Sequence, residues 1–145
     1  MELPFIDEHR VRVSAPASAV WHSLGAYLGR PSGAGPLAHL VGTRPRRASG
    51  HPLTEGATLP GFLVAESVPD HLLRLTGRHR FSTYELAYIV DSEPDFSVLR
   101  ARSYAVFPGP HGWAYETMVI RSGAHRVVVR RMLHAIARGA ERTPA

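Results

Sequence analysis

The amino-acid sequence predicts an α+β fold in which one antiparallel sheet is covered by a long C-terminal helix. Between residues 62 and 107, four closely spaced apolar-polar runs are separated by turn residues, which is typical of an antiparallel meander. After residue 110 the apolar spacing lengthens to that of a helix and continues to about residue 140. Because alternation gives the sheet one apolar face, we expect the long helix to cover that face.

The first strand and helix are predicted at the N-terminus. Residues 5–14 alternate, with Val11 and Val13 on one face, and Ala15-Pro16 ends the strand. We expect Ser14 to cap the short helix that follows. Residues at helical spacing give this helix one apolar face: Ala17, Val20, Trp21, Leu24, Tyr27 and Leu28. A second short helical piece is predicted at residues 37–41, before a polar, turn-rich stretch that ends at Gly61.

The meander and the long helix complete the predicted order. The strands are expected at residues 62–68, 72–81, 83–91 and 98–107. The helix spans roughly residues 112–140, bends at Gly123 and closes the interior. Four arginines on its other faces are expected to be solvated: Arg126, Arg130, Arg138 and Arg142.

Composition and charge exclude several classes of function. The chain has 145 residues, which is enough for one hydrophobic core without a disulfide or metal. It contains no Cys and no Lys, so disulfides, thiolate nucleophiles and lysine Schiff bases are excluded. The formal net charge is +5, but the arginines are scattered and no basic arm, zinc finger or helix-turn-helix motif is present. We therefore expect no nucleic-acid partner.

The domain organisation and cellular location are predicted from the ends of the chain. The acidic N-terminus lacks the apolar core of a signal peptide, and no apolar run approaches the roughly 20 residues of a membrane span. We expect a cytoplasmic protein without a membrane span. Residues 1–141 are predicted to form a single ligand-binding domain, with residues 142–145 as a short tail. The sequence leaves a homodimer as an alternative to a monomer.

Polar side chains on the covered face of the sheet form the candidate site. Strand parity directs Glu66 and His79 towards the helix, and His125 lies on the inward stripe of the helix, so we expect these three to converge. They are the candidates for proton transfer if a reaction is catalysed. The expected ligand contacts are Trp21, Glu66, His79, Phe81, Tyr84, Tyr88, Ser103, Tyr115 and His125. Each of these residues alone is also explained by a satisfied position in the core.

Other catalytic and binding patterns are missing. The nine histidines have none of the spacings typical of metal ligands, so we expect no metal. No G-x-S-x-G elbow exists, and Ser103 is predicted in the middle of a strand, where a nucleophile is not expected. We expect no cofactor.

Several sequence segments resemble a known superfamily. Five segments carry the resemblance: the opening strand followed by SAPASAVWHSL, the strands LPGFLVAESVP, LLRLTGRHRFSTYELAYIV and LRARSYAVFPGPHGWAY, and the helix SGAHRVVVRRMLHAIARGAE. They resemble the START/Bet v 1-like (SRPBCC) superfamily. Within it, the chain is most similar to the bacterial DUF2867 domain of unknown function. The resemblance covers almost the whole chain and implies a helix-grip fold, in which a curved sheet grips the C-terminal helix around a deep, mostly apolar cavity.

The resemblance implies three alternative functions. The first is binding of a hydrophobic or aromatic small molecule in the cavity. The second is a polyketide aromatase/cyclase-like enzyme that acts on a natural-product intermediate, and the third is interaction with a protein partner. Several convergent inward polar groups would favour the enzyme, and a wholly apolar cavity would favour a carrier.

Overall fold

One antiparallel sheet with helices on a single face makes up the described part of the chain, which in this computed structural model is residues 3–30, 49–59, 61–79, 82–116 and 123–142. The strands are β1 (Phe5–Val13), β2 (Thr58–Leu59), β3 (Phe62–Val68), β4 (Leu72–His79), β5 (Ser82–Ser92) and β6 (Ser97–Val106). The helices are α1 (Ala17–Leu28), α2 (Gly109–Glu116) and α3 (Ala124–Arg142). The strands lie in the order β1-β6-β5-β4-β3-β2, and all neighbours are antiparallel. This is the predicted helix-grip α+β fold, which is confirmed.

Alternation along the strands separates an inner face, which α1 and α3 cover, from an outer face. Leu73, Tyr88 and Leu99 are fully buried on the inner face, and the register pairs Tyr88 with both Leu73 and Ala101. The predicted facing of β4, β5 and β6 is confirmed by this register. The arginines between the apolar residues lie on the outer face.

The two long helices pack closely against each other and against β1. Leu133 and Ile136 of α3 are buried in the common core together with Leu24 of α1. The Ser23 hydroxyl donates a hydrogen bond to the carbonyl oxygen of Ile136 at 2.6 Å, within the α1–α3 contact. The predicted amphipathic character of α3 is therefore confirmed, because its apolar stripe is covered and its arginines are exposed.

Three predictions about the elements are corrected. Ser14 does not cap α1: the N-cap is Pro16, without a side-chain hydrogen bond, and the Ser14 amide donates instead to Glu141 Oε2 at 2.9 Å. The single long helix is wrong, because Gly123 has a φ of 85°, a left-handed conformation that an α-helix cannot contain, and α3 starts after it. The short edge strand β2 lies in the stretch predicted to be polar and turn-rich, where no strand was predicted.

Some predictions fall on residues that the structure does not describe. The helical piece at residues 37–41 lies outside the described residues, as does Phe81. Among the helices that are described, none is long and apolar enough to cross a membrane.

Candidate functional site

The inner face of β6 forms a floor of small side chains. Ala101, Ser103 and Ala105 occupy alternate positions there, and all three are buried. The register places Ser103 between Asp7 of β1 and Leu86 of β5, and places Ala105 beside Tyr84. The side chains at these three successive inward positions are small, so each occupies less space above the strand than a larger residue would.

A polar cluster borders the floor on its β1 side and consists of Asp7, His9, Ser103 and His125. His9 Nε2 lies 3.0 Å from Asp7 Oδ2. His125, the second residue of α3, places its Nε2 3.1 Å from Ser103 Oγ and 3.5 Å from Asp7 Oδ1. One carboxylate is therefore flanked by two imidazoles and a hydroxyl, on the face of the sheet that the helices cover.

The geometry of the polar cluster differs from that of a serine-hydrolase triad. In a triad the histidine contacts serine and aspartate through different ring nitrogens, whereas here the same Nε2 of His125 faces both Ser103 and Asp7. Asp7 Oδ1 is buried and has no hydrogen-bond partner among the described residues. The arrangement is suited to binding a polar group or exchanging a proton with it.

Tyr84 stands at the other side of the floor and is held in one position. Its hydroxyl donates to the carbonyl oxygen of Gly61 at 2.6 Å, and its ring meets Phe62 edge-on at 5.3 Å between centroids. Gly77, which pairs with Tyr84, leaves the space for this contact, because a Cβ there would overlap the Gly61 oxygen and the Tyr84 ring. Tyr84 is thus an aromatic wall whose orientation the backbone fixes.

Tyr88 and Trp21 belong to the packed core beneath the helices. The Tyr88 hydroxyl donates to Met132 Sδ at 2.8 Å, and the side chain is fully buried. Burial, with a smaller effect of Tyr27, raises the pKa of Tyr88 far above its ordinary value, so the phenol stays neutral. Trp21 is 8% exposed and is part of the same core.

Glu66 does not join the site, and its predicted inward orientation is wrong. The register of β3 shifts between Val64 and Glu66, so that Val64 pairs with the inward Leu75 but Glu66 pairs with the outward Arg74. Arg74 Nε donates to Glu66 at 3.2 Å. The bulge at this point reverses the parity on which the prediction depended.

The structure brings together only part of the predicted set of ligand contacts. Ser103 and His125 are in contact, and Glu66 lies on the opposite face. The expectations for the side chains of His79 and Tyr115, like that for Phe81, lie outside what is described. Nowhere in the described ranges do three or more His, Asp or Glu side chains form a group that could hold a metal ion.

Asp7 and His9 are site residues that the sequence analysis did not single out. Both share the parity of Val11 and Val13, whose inward facing the alternation of β1 predicts. That parity was the available signal. Its weakness is that the register of β1 also shifts, between Phe5 and Asp7, close to the residues in question.

The outer face carries a separate set of charges that are paired with each other. Arg100 donates to Asp91 at 2.8 Å and to Glu8 at 3.1 Å, and Arg10 donates to Glu8 at 2.7 Å. The hydrogen bond from Arg10, followed by that from Arg100, holds the pKa of Glu8 below its ordinary value against the effect of burial. A groove of about 600 Å³ lies against Arg10, Asp91 and Arg100, and both of its arginines are engaged in these ion pairs.

Solved structures from several organisms have a similar fold. CalU16 from Micromonospora echinospora is 18% identical, with a TM-score of 0.57, and the match covers 95% of this chain and 75% of CalU16. DynU16, from the dynemicin biosynthetic locus, is 14% identical with a TM-score of 0.59, and the match covers 93% of this chain but only 46% of DynU16. Norcoclaurine synthase from Thalictrum flavum is 14% identical with a TM-score of 0.58, and the match covers 99% of each chain.

At these low identities the likeness shows the fold alone, which is the Bet v 1-like helix-grip fold. No protein-family model matches the sequence, and no curated protein matches it. The similarity to the DUF2867 domain therefore stays a prediction.

Proposed function

We propose that the chain binds a hydrophobic or aromatic small molecule between the inner face of the sheet and α3. The observation that carries this proposal is the floor of Ala101, Ser103 and Ala105, bordered by Tyr84 on one side and by the polar cluster on the other. An apolar surface with a few convergent polar groups at one end is typical of small-molecule sites. The helix-grip fold supports the same proposal.

Ligand binding can be followed through the fluorescence of Trp21. Trp113 is 59% exposed, so a Trp113→Phe background leaves the buried Trp21 as the single tryptophan. Titration with a panel of flat aromatic polyketides should quench this emission saturably, and native mass spectrometry should show one bound molecule. No saturable quenching and no bound mass across the panel would contradict the proposal.

A space-filling variant tests where the ligand binds. Ala105→Phe should fill the floor beside Tyr84 and weaken binding by about tenfold or more, because a bulky side chain would occupy the ligand's place. Val106→Phe is the matched control, since the neighbouring Val106 is exposed on the other face. Equal affinities of the two variants, both folded by circular dichroism, would place the ligand elsewhere.

The second candidate function is a polyketide aromatase/cyclase-like enzyme, and the polar cluster is the observation that favours it. His125 lies within hydrogen-bond distance of Ser103 and near a carboxylate, as a general acid or base requires. One structural neighbour is a synthase and another comes from a biosynthetic locus. Incubation with a linear polyketide should then give a cyclised aromatic product, detected by absorbance and mass. His125→Gln should slow its formation by about a hundredfold.

Several finer expectations stay proposals. They are a single ligand-binding domain over residues 1–141, relatedness to the bacterial DUF2867 domain, a cytoplasmic location and a homodimer. Light scattering of the purified chain tests the last of these, with twice the monomer mass of 15.9 kDa as the expected result for a dimer.

A further inference from the structure

From the polar cluster we infer the chemical class of the ligand: an aromatic molecule that carries a hydroxyl group, such as a phenol, held between Asp7 Oδ1 and His125 with Ser103. This inference rests on the proposed binding function. It adds which end of the ligand is recognised, and by which atoms.

Asp7 presents a hydrogen-bond acceptor that is not satisfied. Asp7 Oδ2 already faces His9 Nε2 at 3.0 Å, whereas Oδ1 is buried and has no hydrogen-bond partner in the described part of the chain. The imidazole nitrogen that faces Oδ1, His125 Nε2, is 3.5 Å away. A buried acceptor without a donor is costly, so a ligand that supplies a donor to Oδ1 is bound more tightly than one that does not.

Hydrogen-bond donors also lie beside Asp7 Oδ1. Ser103 Oγ and His125 Nε2 lie 3.1 Å apart beside this oxygen, and one hydrogen between them leaves the serine hydroxyl able to donate outward. A hydroxyl group matches both needs, because it donates one hydrogen bond and accepts others. An ammonium group can only donate hydrogen bonds, so it could not accept one from Ser103. A carboxylate would be repelled by the negative charge of Asp7.

No arginine lies on the inner face of the described strands next to the site. Arg10, Arg100 and Arg102 alternate with the inward residues of β1 and β6 and contact Glu8 on the outer face. An anionic ligand would therefore meet a carboxylate without a guanidinium to balance it. This favours a neutral hydroxyl over an acid.

The small side chain of Ala105 and the ring of Tyr84 are where the rest of the ligand would lie. Ala105 follows Ser103 on the inner face of β6, and Tyr84 stands beside Ala105. A flat ring attached to a hydroxyl at the polar cluster would lie over Ala105 and end against the edge or face of Tyr84. The hydroxyl and the ring thus find partners along one line across the floor.

The test compares umbelliferone, a fluorescent phenol, with its methyl ether, which has the same ring system but no hydroxyl hydrogen. Fluorescence anisotropy gives the two dissociation constants for the wild type, Asp7→Leu and Glu8→Leu. Asp7→Leu replaces the carboxylate by an apolar group of similar shape, and Glu8→Leu removes the same charge from the outer face of the same strand.

We expect the wild type to bind umbelliferone about tenfold more tightly than the ether, because only the phenol satisfies the buried acceptor. Asp7→Leu should bring the ratio close to one, and Glu8→Leu should leave it at about tenfold. If Asp7→Leu does not fold, Ser103→Ala serves in its place and should lower the ratio at least about threefold.

Three results would overturn the inference. Equal binding of phenol and ether by the wild type would show that the hydroxyl is not recognised, while small-molecule binding would stand. Equal weakening of both ligands by Asp7→Leu, or a ratio that Ser103→Ala leaves unchanged, would assign the cluster a structural role. Binding of neither ligand would instead contradict the proposed function for flat aromatics, and the inference with it.

Discussion

The contact between α1 and α3 leads to a quantitative prediction at Gly139. A Cβ at this position would lie 2.5 Å from Ser23 Oγ and 3.7 Å from Ser23 Cβ. The same hydroxyl donates to Ile136 at 2.6 Å, and Ser23 is only 8% exposed. Gly139→Ala therefore cannot be accommodated unless the hydroxyl moves out of its hydrogen bond.

Two opposing effects determine the size of the change. Loss of the buried hydrogen bond, with the hydroxyl left unpaired, costs about 1–3 kcal/mol. Alanine in place of glycine inside a helix returns roughly 0.5–1 kcal/mol through backbone entropy. Gly139→Ala should thus lower the free energy of unfolding by about 1–2 kcal/mol.

The double mutant separates the clash from the helix propensity. In a Ser23→Ala background the new methyl group would meet only the Cβ atom of residue 23, at an ordinary contact distance. There, Gly139→Ala should stabilise the protein by roughly 0.5–1 kcal/mol, so that the sign of its effect reverses. The coupling energy between the two sites should be about 1.5–3 kcal/mol.

Urea denaturation followed by circular dichroism measures all four proteins of this cycle, with unchanged slopes as the check on two-state unfolding. A stabilising effect of Gly139→Ala in the wild type, equal to that in the Ser23→Ala background, would refute the reasoning. It would mean that the two helices separate readily and that the hydroxyl contact does not set their distance.

Three further predictions concern charged and phenolic groups. Glu66→Gln should change the free energy of unfolding by less than about 1 kcal/mol in urea and leave ligand affinity unchanged, because the Glu66–Arg74 pair is partly exposed and lies on the outer face. The lowered pKa of Glu8 stabilises the fold above the ordinary carboxyl pKa, and this stability is lost as pH falls through the lowered value. Glu8→Gln should therefore flatten the decline of thermal stability below about pH 4, and parallel declines would contradict this. The raised pKa of Tyr88 gives the opposite sign: stability is present below about pH 10 and lost above it, so Tyr88→Phe should unfold less readily in alkaline titration than the wild type.

The sheet was predictable because its strands bury one face. The burial of Leu73, Tyr88 and Leu99 depends on a period of two residues, which the sequence displays directly. The boundaries of β3 agree with the prediction at both ends, because Gly61 and Pro69, residue types that favour turns, lie immediately before and after the strand. The split between α2 and α3 was not predictable from apolar spacing, because the left-handed φ of Gly123 is compatible with glycine but not required by it.

The site was predicted less completely than the sheet. Ser103 and His125 were identified because each lies on a regular element whose period extends over many residues. Glu66 was misplaced by one extra residue in β3, and a bulge has no reliable signature in a single sequence. Asp7 was overlooked although its parity was correct, because its value to the site comes from His125, a residue far away in the chain.

The carboxylates of the sheet differ in their partners according to face. On the outer face Glu8, Glu66 and Asp91 pair with arginines, which keep their charge at every pH the protein meets. On the inner face the ion-pair partners of Asp7 within the described residues are His9 and His125. A neutral imidazole has one nitrogen that donates and one that accepts a hydrogen bond, whereas a guanidinium only donates, so the neighbours of Asp7 can pair with either kind of group on a bound molecule. The arginine pairs of the outer face are partly exposed ion pairs that each add little to stability, and the two imidazoles beside Asp7 are the contacts that support the proposed binding site.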